Sequence, residues 1–254
     1  MRQPLSVRYA ALGAYSKNFT DIFSAASNQA SLANLKTGAA GVYGERRFMM
    51  DELSGYTAII AVPSSSGTFG LQADYFGSSS FNETELGFIY ARKLSAGMDI
   101  GTKFNYHTVR VAGYGNASAV NFDLGLICHL TETLHSGIHV YNPIGSKLGK
   151  TGVEKLASIY SFGLGYEASE KFFISTELVK HEDRPVSVNA ALHYNLHTKI
   201  FIRTGISTGN ENSFGSIGYN VGFGRIDINA AYHPQLGFTP GMLLLINLKK
   251  PAEE

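Results

Sequence analysis

The chain has 254 residues, and its 21 Lys+Arg stand against 20 Asp+Glu, so no basic field marks it for nucleic acid. Its charged fraction, 16%, is low beside the roughly 25% of an ordinary soluble domain. The lone cysteine, Cys128, excludes an internal disulfide and a cysteine-based zinc centre, and its place on an apolar strand face reads as a small hydrophobe.

The opening MRQPLSVRYAALGAYS carries no signal-peptide apolar core. The chain is therefore either cytosolic or a mature form whose signal has been removed, and the later segments decide which. Residues 9–35, YAALGAYSKNFTDIFSAASNQASLANL, are rich in Ala, Ser and Asn and hold no sustained period. Residues 1–36 are set apart on this basis.

From residue 37 the apolar period is two almost throughout. About fourteen segments start near Gly38, Gly55, Thr68, Asn82, Ala96, Ser118, Leu134, Lys155, Lys171, Pro185, Lys199, Ser213, Gly224 and Phe238. Most reach ten residues or more. A soluble strand averages about 5 to 6, whereas a tilted strand crossing a bilayer needs about 9 to 11. In VNFDLGLICHL (120–130), Val120, Phe122, Leu124, Leu126, Cys128 and Leu130 share one face, and Asn121, Asp123, Gly125, Ile127 and His129 the other. No apolar run approaches the roughly 18 to 20 residues of a membrane helix; the longest, 242–246, is far shorter.

The connections alternate between short (63–67, 94–97, 130–134, 167–171, 195–199, 222–225) and longer (76–82, 109–118, 142–155, 180–185, 207–213, 233–241). Short turns on one side and longer loops on the other are the plan of an outer-membrane barrel. The expected architecture is all-β: a transmembrane up-and-down antiparallel barrel of about fourteen strands over 37–250, with 1–36 as a plug or lining of the lumen and 251–254 as a tail. A barrel of this size leaves room for a short plug.

On this frame Asp99, Lys103, Asp123, Glu177, Arg203, Arg225 and Asp227 face the lumen, to pair across strands or line a solute path. Tyr141, Tyr160, Tyr166, Phe172, Tyr194 and Tyr232 are expected in the interfacial belts. His135 and His139 share a face about 13 Å apart at about 3.3 Å per residue, with His129 near them only across a turn. They are read as lumen or turn residues rather than metal ligands. Ser136 beside His135 is a poor hydrolase pair, because neighbours on a strand face opposite ways. No enzyme activity, metal or cofactor is expected. Asn142, Lys147 and Lys150 in one loop and Glu182, Asp183 and Arg184 in another are candidate partner contacts on the outer side.

The order of these segments resembles a known family. FTDIFSAASNQASLA (19–33) is similar to the hatch of the FadL-like outer-membrane barrels, above all their PorV and PorQ branch, with Asp21 at an acidic position, Asn28 at the Asn, and Gln29 in place of the usual Pro. HVYNPIGSKLG (139–149), residues 161–208 and YHPQLGFTP (232–240) resemble the same branch. The resemblance implies a fourteen-stranded barrel in the outer membrane of a Gram-negative bacterium, its signal removed and its N-terminus entering the lumen. It implies two roles: an accessory scaffold of an outer-membrane secretion or assembly machine of the type IX kind, or a transporter of hydrophobic molecules. The first expects partner proteins and outer-membrane lipid around the wall. The second expects a lateral opening beside a kinked strand and an apolar pocket next to the hatch. The chain departs from the pattern in its short loops, its altered hatch and its non-aromatic end.

Overall fold

The computed structural model describes residues 12–149, 154–209 and 212–248. Residues 1–11, Lys150 and the 251–254 tail lie outside them. The strands are β1 Ala39–Arg46, β2 Ser54–Ser64, β3 Gly67–Gly77, β4 Phe81–Ser95, β5 Met98–Val111, β6 Gly115–His129 and β7 Leu134–Tyr141. A two-stranded hairpin, β8 Lys147–Leu148 and β9 Glu154–Lys155, follows. Then come β10 Ile159–Ser169, β11 Phe172–His181, β12 Ser187–His197, β13 Ile200–Ser207, β14 Asn212–Asn220, β15 Gly224–His233 and β16 Gly237–Asn247.

Apart from the hairpin these form one closed barrel of fourteen antiparallel strands, with β7 against β10 and β16 against β1. Closure gives every barrel strand a neighbour on both sides, which a bilayer demands because lipid offers no hydrogen bonds. The period-two pattern is the cause of the wall's two faces. On β6, Val120 and Leu124 are exposed outside while Asn121, Asp123 and Ile127 are buried inside. Exposed Ile228 lies at the middle of β15 on the same outer face. Substitution Ile228→Arg is expected to cost about 2–4 kcal/mol in urea-dependent folding into liposomes, the cost of an arginine near the bilayer midplane. A change near zero would remove lipid as the solvent of this face.

Three of the expected long loops are tight turns. Strands run on to Gly77, Val111 and His233, leaving 78–80, 112–114 and 234–236 as the connections. Gly77, Gly113, Gly115 and Gly237 adopt φ of 113°, 80°, 98° and 86°, the left-handed backbone such turns need and other residues resist. The broad connections are 47–53, 142–158 and 182–186.

Among the expected belt residues, Tyr160, Tyr166, Tyr194 and Tyr232 are exposed outside. Tyr141 is not a belt residue: it is 7% exposed and faces the lumen. Its parity on β7 places it with His135 and His139, and a tyrosine at a strand end obeys that parity whatever its amphipathic character.

Candidate functional site

The N-terminal segment fills the barrel as three 3-10 turns, Leu12–Tyr15, Ile22–Ala26 and Gln29–Asn34. Side chains start them. The Asp21 carboxylate accepts the Phe23 N–H at 2.8 Å while the Asp21 N–H donates to Ser24 Oγ at 3.1 Å. Asn28 Oδ1 accepts the Ala30 N–H at 3.1 Å. Each satisfies a backbone donor that a short helix leaves open.

Two apolar patches hold the segment. Ile22, Phe23 and Leu32 pack on Tyr43, Ile59, Ile89, Leu243 and Leu245, which face inward from β1, β2, β4 and β16. Leu12, Tyr15 and Phe19 pack on Phe173 and Phe214. Between these patches the segment lies directly on the wall, over inward glycines. A Cβ at Gly101 would meet the Ala30 backbone, at Gly125 the Asn28 side chain, and at Gly137 and Gly163 the Tyr15 ring. Gly101 is the register partner of Gly125, and Gly137 that of Gly163, so the floor runs across β5, β6, β7 and β10. Asn28 Nδ2 donates to the Leu126 and Ile138 carbonyls, both at 3.1 Å. Gln29 Nε2 donates to Gly101 O at 3.4 Å.

The charges named from the sequence are buried and fall into two clusters and two separate sites. In the first cluster Lys103 Nζ lies 3.2 Å from Glu85 Oε1 and 3.6 Å from Asp123 Oδ2. Tyr141 donates to Glu85 Oε2 at 3.2 Å, Asn121 Nδ2 donates to Tyr141 Oη at 3.0 Å, and Asn105 Nδ2 donates to Asp123 at 3.0 Å. In the second, Arg225 is 2.8 Å from Asp21 and 2.9 Å from Asp227, and Arg203 is 3.5 Å from each. Arg203 also sits 4.7 Å over the Phe201 ring. This cluster ties the plug to β13 and β15. Burial pushes the Asp21 carboxyl up, and Arg225 and then Arg203 more than offset this, leaving it below its ordinary value.

Glu177 stands apart, accepting from Tyr15 Oη at 2.8 Å, Ser27 Oγ at 3.0 Å and Asn189 Nδ2 at 3.2 Å. Asp99 belongs to an array at the short-turn end. Its Oδ2 lies 2.8 Å from His129 Nε2, the two Nδ1 atoms of His129 and His135 are 2.9 Å apart, and His135 Nε2 is 3.2 Å from Glu167 Oε1. Sequence reading placed His129 near the others only across a turn. The register makes it His135's direct partner.

Glu85, Glu167 and the His129–His135 contact were missed. Glu85 was readable from NETELGF (82–88), where period two puts it on the inner face with Gly87. Glu167 was hidden because EASEK (167–171) reads as a turn, although β10 continues to Ser169 through a register shift. Ser136 points away from His135 and pairs with Cys128, so no hydrolase geometry forms there. The carboxylates meet the Nε2 edges of His129 and His135, so only two nitrogens face each other at their centre.

Of the candidate contact residues, Lys147, Glu182, Asp183 and Arg184 are exposed. Asn142 is not a contact residue. It is fully buried at φ 51°, donating from Nδ2 to Leu156 O at 2.6 Å and accepting the Ser146 N–H at 3.0 Å. An asparagine tolerates the left-handed backbone that this loop start imposes.

A cavity of about 60 Å³ lies between the plug and the wall, lined by Ala26, Ser27, His139, Tyr141, Ile159 and Glu177 among others. Its wall-side lining comes from β4, β7, β10, β11 and β12. β7 pairs with β6 only from Asp123 onward, so 115–122 have no strand partner on that side. Residues 146–149 reach over the gap: Ser146 Oγ donates to Val120 O at 2.7 Å and the Gly149 N–H to Ser118 O at 3.0 Å. The expected kinked strand is absent among the described residues. Register shifts occur only at 93–95, 167–169 and 195–197, beside short turns.

No family model matches the chain, and no curated protein matches it. Solved structures do. The CymD monoaromatic hydrocarbon channel aligns with a TM-score of 0.72 at 10% identity, over 90% of this chain and 93% of that one. A FadL homologue of Pseudomonas aeruginosa gives 0.64 at 9%, over 90% and 94%. The toluene transporter TodX of Pseudomonas putida gives 0.62 at 10%, over 90% and 92%. The fold is therefore that of the FadL-like outer-membrane barrels. Of the aligned proteins, CymD is a channel and TodX a transporter.

Proposed function

We propose that this chain is a barrel of a Gram-negative outer membrane that passes small hydrophobic molecules, with its outward face in outer-membrane lipid. The likeness to CymD, TodX and the FadL homologue favours this reading over a scaffold, and the cavity beside Ala26 and Ser27 carries it. That cavity adjoins the plug on one side and the ends of β7 and β10, at Tyr141 and Ile159, on the other. Beyond those ends, Ser146 and Gly149 lie over 118–120 of β6, and a solute moving between lumen and bilayer there would displace them.

About 60 Å³ is room for a few waters at about 10–15 Å³ each, while an apolar cavity of about 150 Å³ is what holds benzene. Passage of a monoaromatic molecule through this cavity requires the plug or the connection to shift. The test is uptake of radiolabelled toluene by cells expressing the barrel, against cells carrying an empty vector. Expression is expected to raise the initial rate severalfold; equal rates would overturn the reading.

One observation favours a second reading, an accessory subunit of a secretion or assembly complex. The lumen holds the plug, and three of the outer connections, 78–80, 112–114 and 234–236, are tight turns, which suits a platform better than a conduit. Purification from native membranes in mild detergent separates the two, since a barrel that always migrates alone is no subunit.

A further inference from the structure

The array Asp99, His129, His135 and Glu167 crosses four neighbouring strands, β5, β6, β7 and β10, and both of its ends grip the plug. At one end Asn34 Nδ2 donates to Asp99 Oδ2 at 2.5 Å. At the other, Glu167 accepts from Ser16 Oγ at 2.7 Å, from the Lys17 N–H at 2.6 Å and from Asn18 Nδ2 at 2.5 Å. Asp99 is 1% exposed and His135 0%. The charged neighbours on the adjoining elements, Lys17, Lys36, Lys93, Glu132, Glu170 and Lys171, are all exposed at the rim.

The geometry restricts where protons sit. An ionised carboxylate only accepts, so both Nε2 atoms must donate. Between the two Nδ1 atoms one N–H must face one lone pair. That places three protons on four ring nitrogens, one more than two neutral imidazoles carry. A further proton sets two N–H groups against each other across 2.9 Å. One proton fewer sets two lone pairs together, either between the rings or against a carboxylate. The array is complete at a single proton count.

We propose that this array is a proton-sensitive clasp, which holds the N-terminal segment in the lumen at one protonation level and loosens it when the pH moves to either side. The clasp acts on the position of the segment, so it stands or falls independently of any solute.

The experiment uses a cysteine on the plug. Ser31 is buried and its hydroxyl has no partner among the described residues, so Ser31→Cys in a Cys128→Ser background gives up no hydrogen bond. The purified barrel is labelled with a charged maleimide across pH 5–9. Rates are divided by those of Ser66→Cys on the exposed 65–66 turn, which removes the reagent's own pH dependence. The normalised rate is expected to pass through a minimum and to rise about tenfold on each side, the effect of losing one hydrogen bond to a charged group. The double variant His129→Gln, His135→Gln is expected to abolish the minimum. Asn34→Ala, a plug-side change that leaves the wall intact, is expected to raise the rate at the minimum. A parent rate flat with pH, a minimum surviving in the double variant, or an unchanged rate in Asn34→Ala would each overturn the proposal.

Discussion

Gly163→Ala is expected to drive the N-terminal segment from the barrel. A Cβ at Gly163 would overlap the Tyr15 ring, and one at Gly165 the Tyr15 carbonyl. The wall has nowhere to retreat, because Gly163 is paired to Gly137 on one side and to Glu177 on the other. Tyr15 must therefore leave a site where it is fully buried, giving up its hydrogen bond to Glu177 and its packing with Leu12, Phe19, Phe173 and Phe214. Losing a buried aromatic anchor costs about 3–5 kcal/mol, enough to undock a segment of short 3-10 turns with little stability of its own. The measurement is amide hydrogen exchange. Residues 12–35 should lose protection while the strands keep theirs. If the segment stays protected, the glycine floor is not what admits it.

The wall was legible because its cause is local. Period two, strand length and turn spacing are each written within one segment, and lipid outside imposes the same rule on every strand. The lumen was legible only in part, because its rule is not uniform. The inner face was expected to mix small and polar residues with charges, and Asp123 and Arg203 fit that. Yet Ile59, Ile89, Leu243 and Leu245 also face inward, since the plug gives them something apolar to cover. Nothing within those strands announces a plug. The inward glycines were visible as composition, but their shared purpose appears only when register aligns Gly101 with Gly125 and Gly137 with Gly163. Tyr141 shows the converse error: aromatic character at a strand end suggested a belt, and parity overruled it.

Lys103→Met is expected to be the most damaging single change to the wall itself. Lys103 is 3% exposed and is the ammonium that Glu85 and Asp123 share, with Asp74 also inside the lumen and held by Thr57 and Gln72. Methionine keeps the length of the side chain and removes the charge, so the loss reports electrostatics rather than a cavity. Breaking a buried pair by deleting one partner costs about 3–5 kcal/mol, because the other charge stays buried without compensation. Here two carboxylates are stranded, close enough to repel. The deficit has a signature that packing damage lacks. With the ammonium gone, the folded lumen takes up protons more readily than the unfolded chain, so stability of the variant relative to the parent rises as the pH falls. Adding Glu85→Gln should recover part of the loss at neutral pH, since it removes one of the stranded charges and leaves an amide that Tyr141 can still donate to. Urea titrations of the three proteins into liposomes at pH 5 and pH 8 measure all of this. Deficits that are the same at both pH values, with no recovery from Glu85→Gln, would mean that Lys103 holds the wall by its packed methylenes and not by its charge.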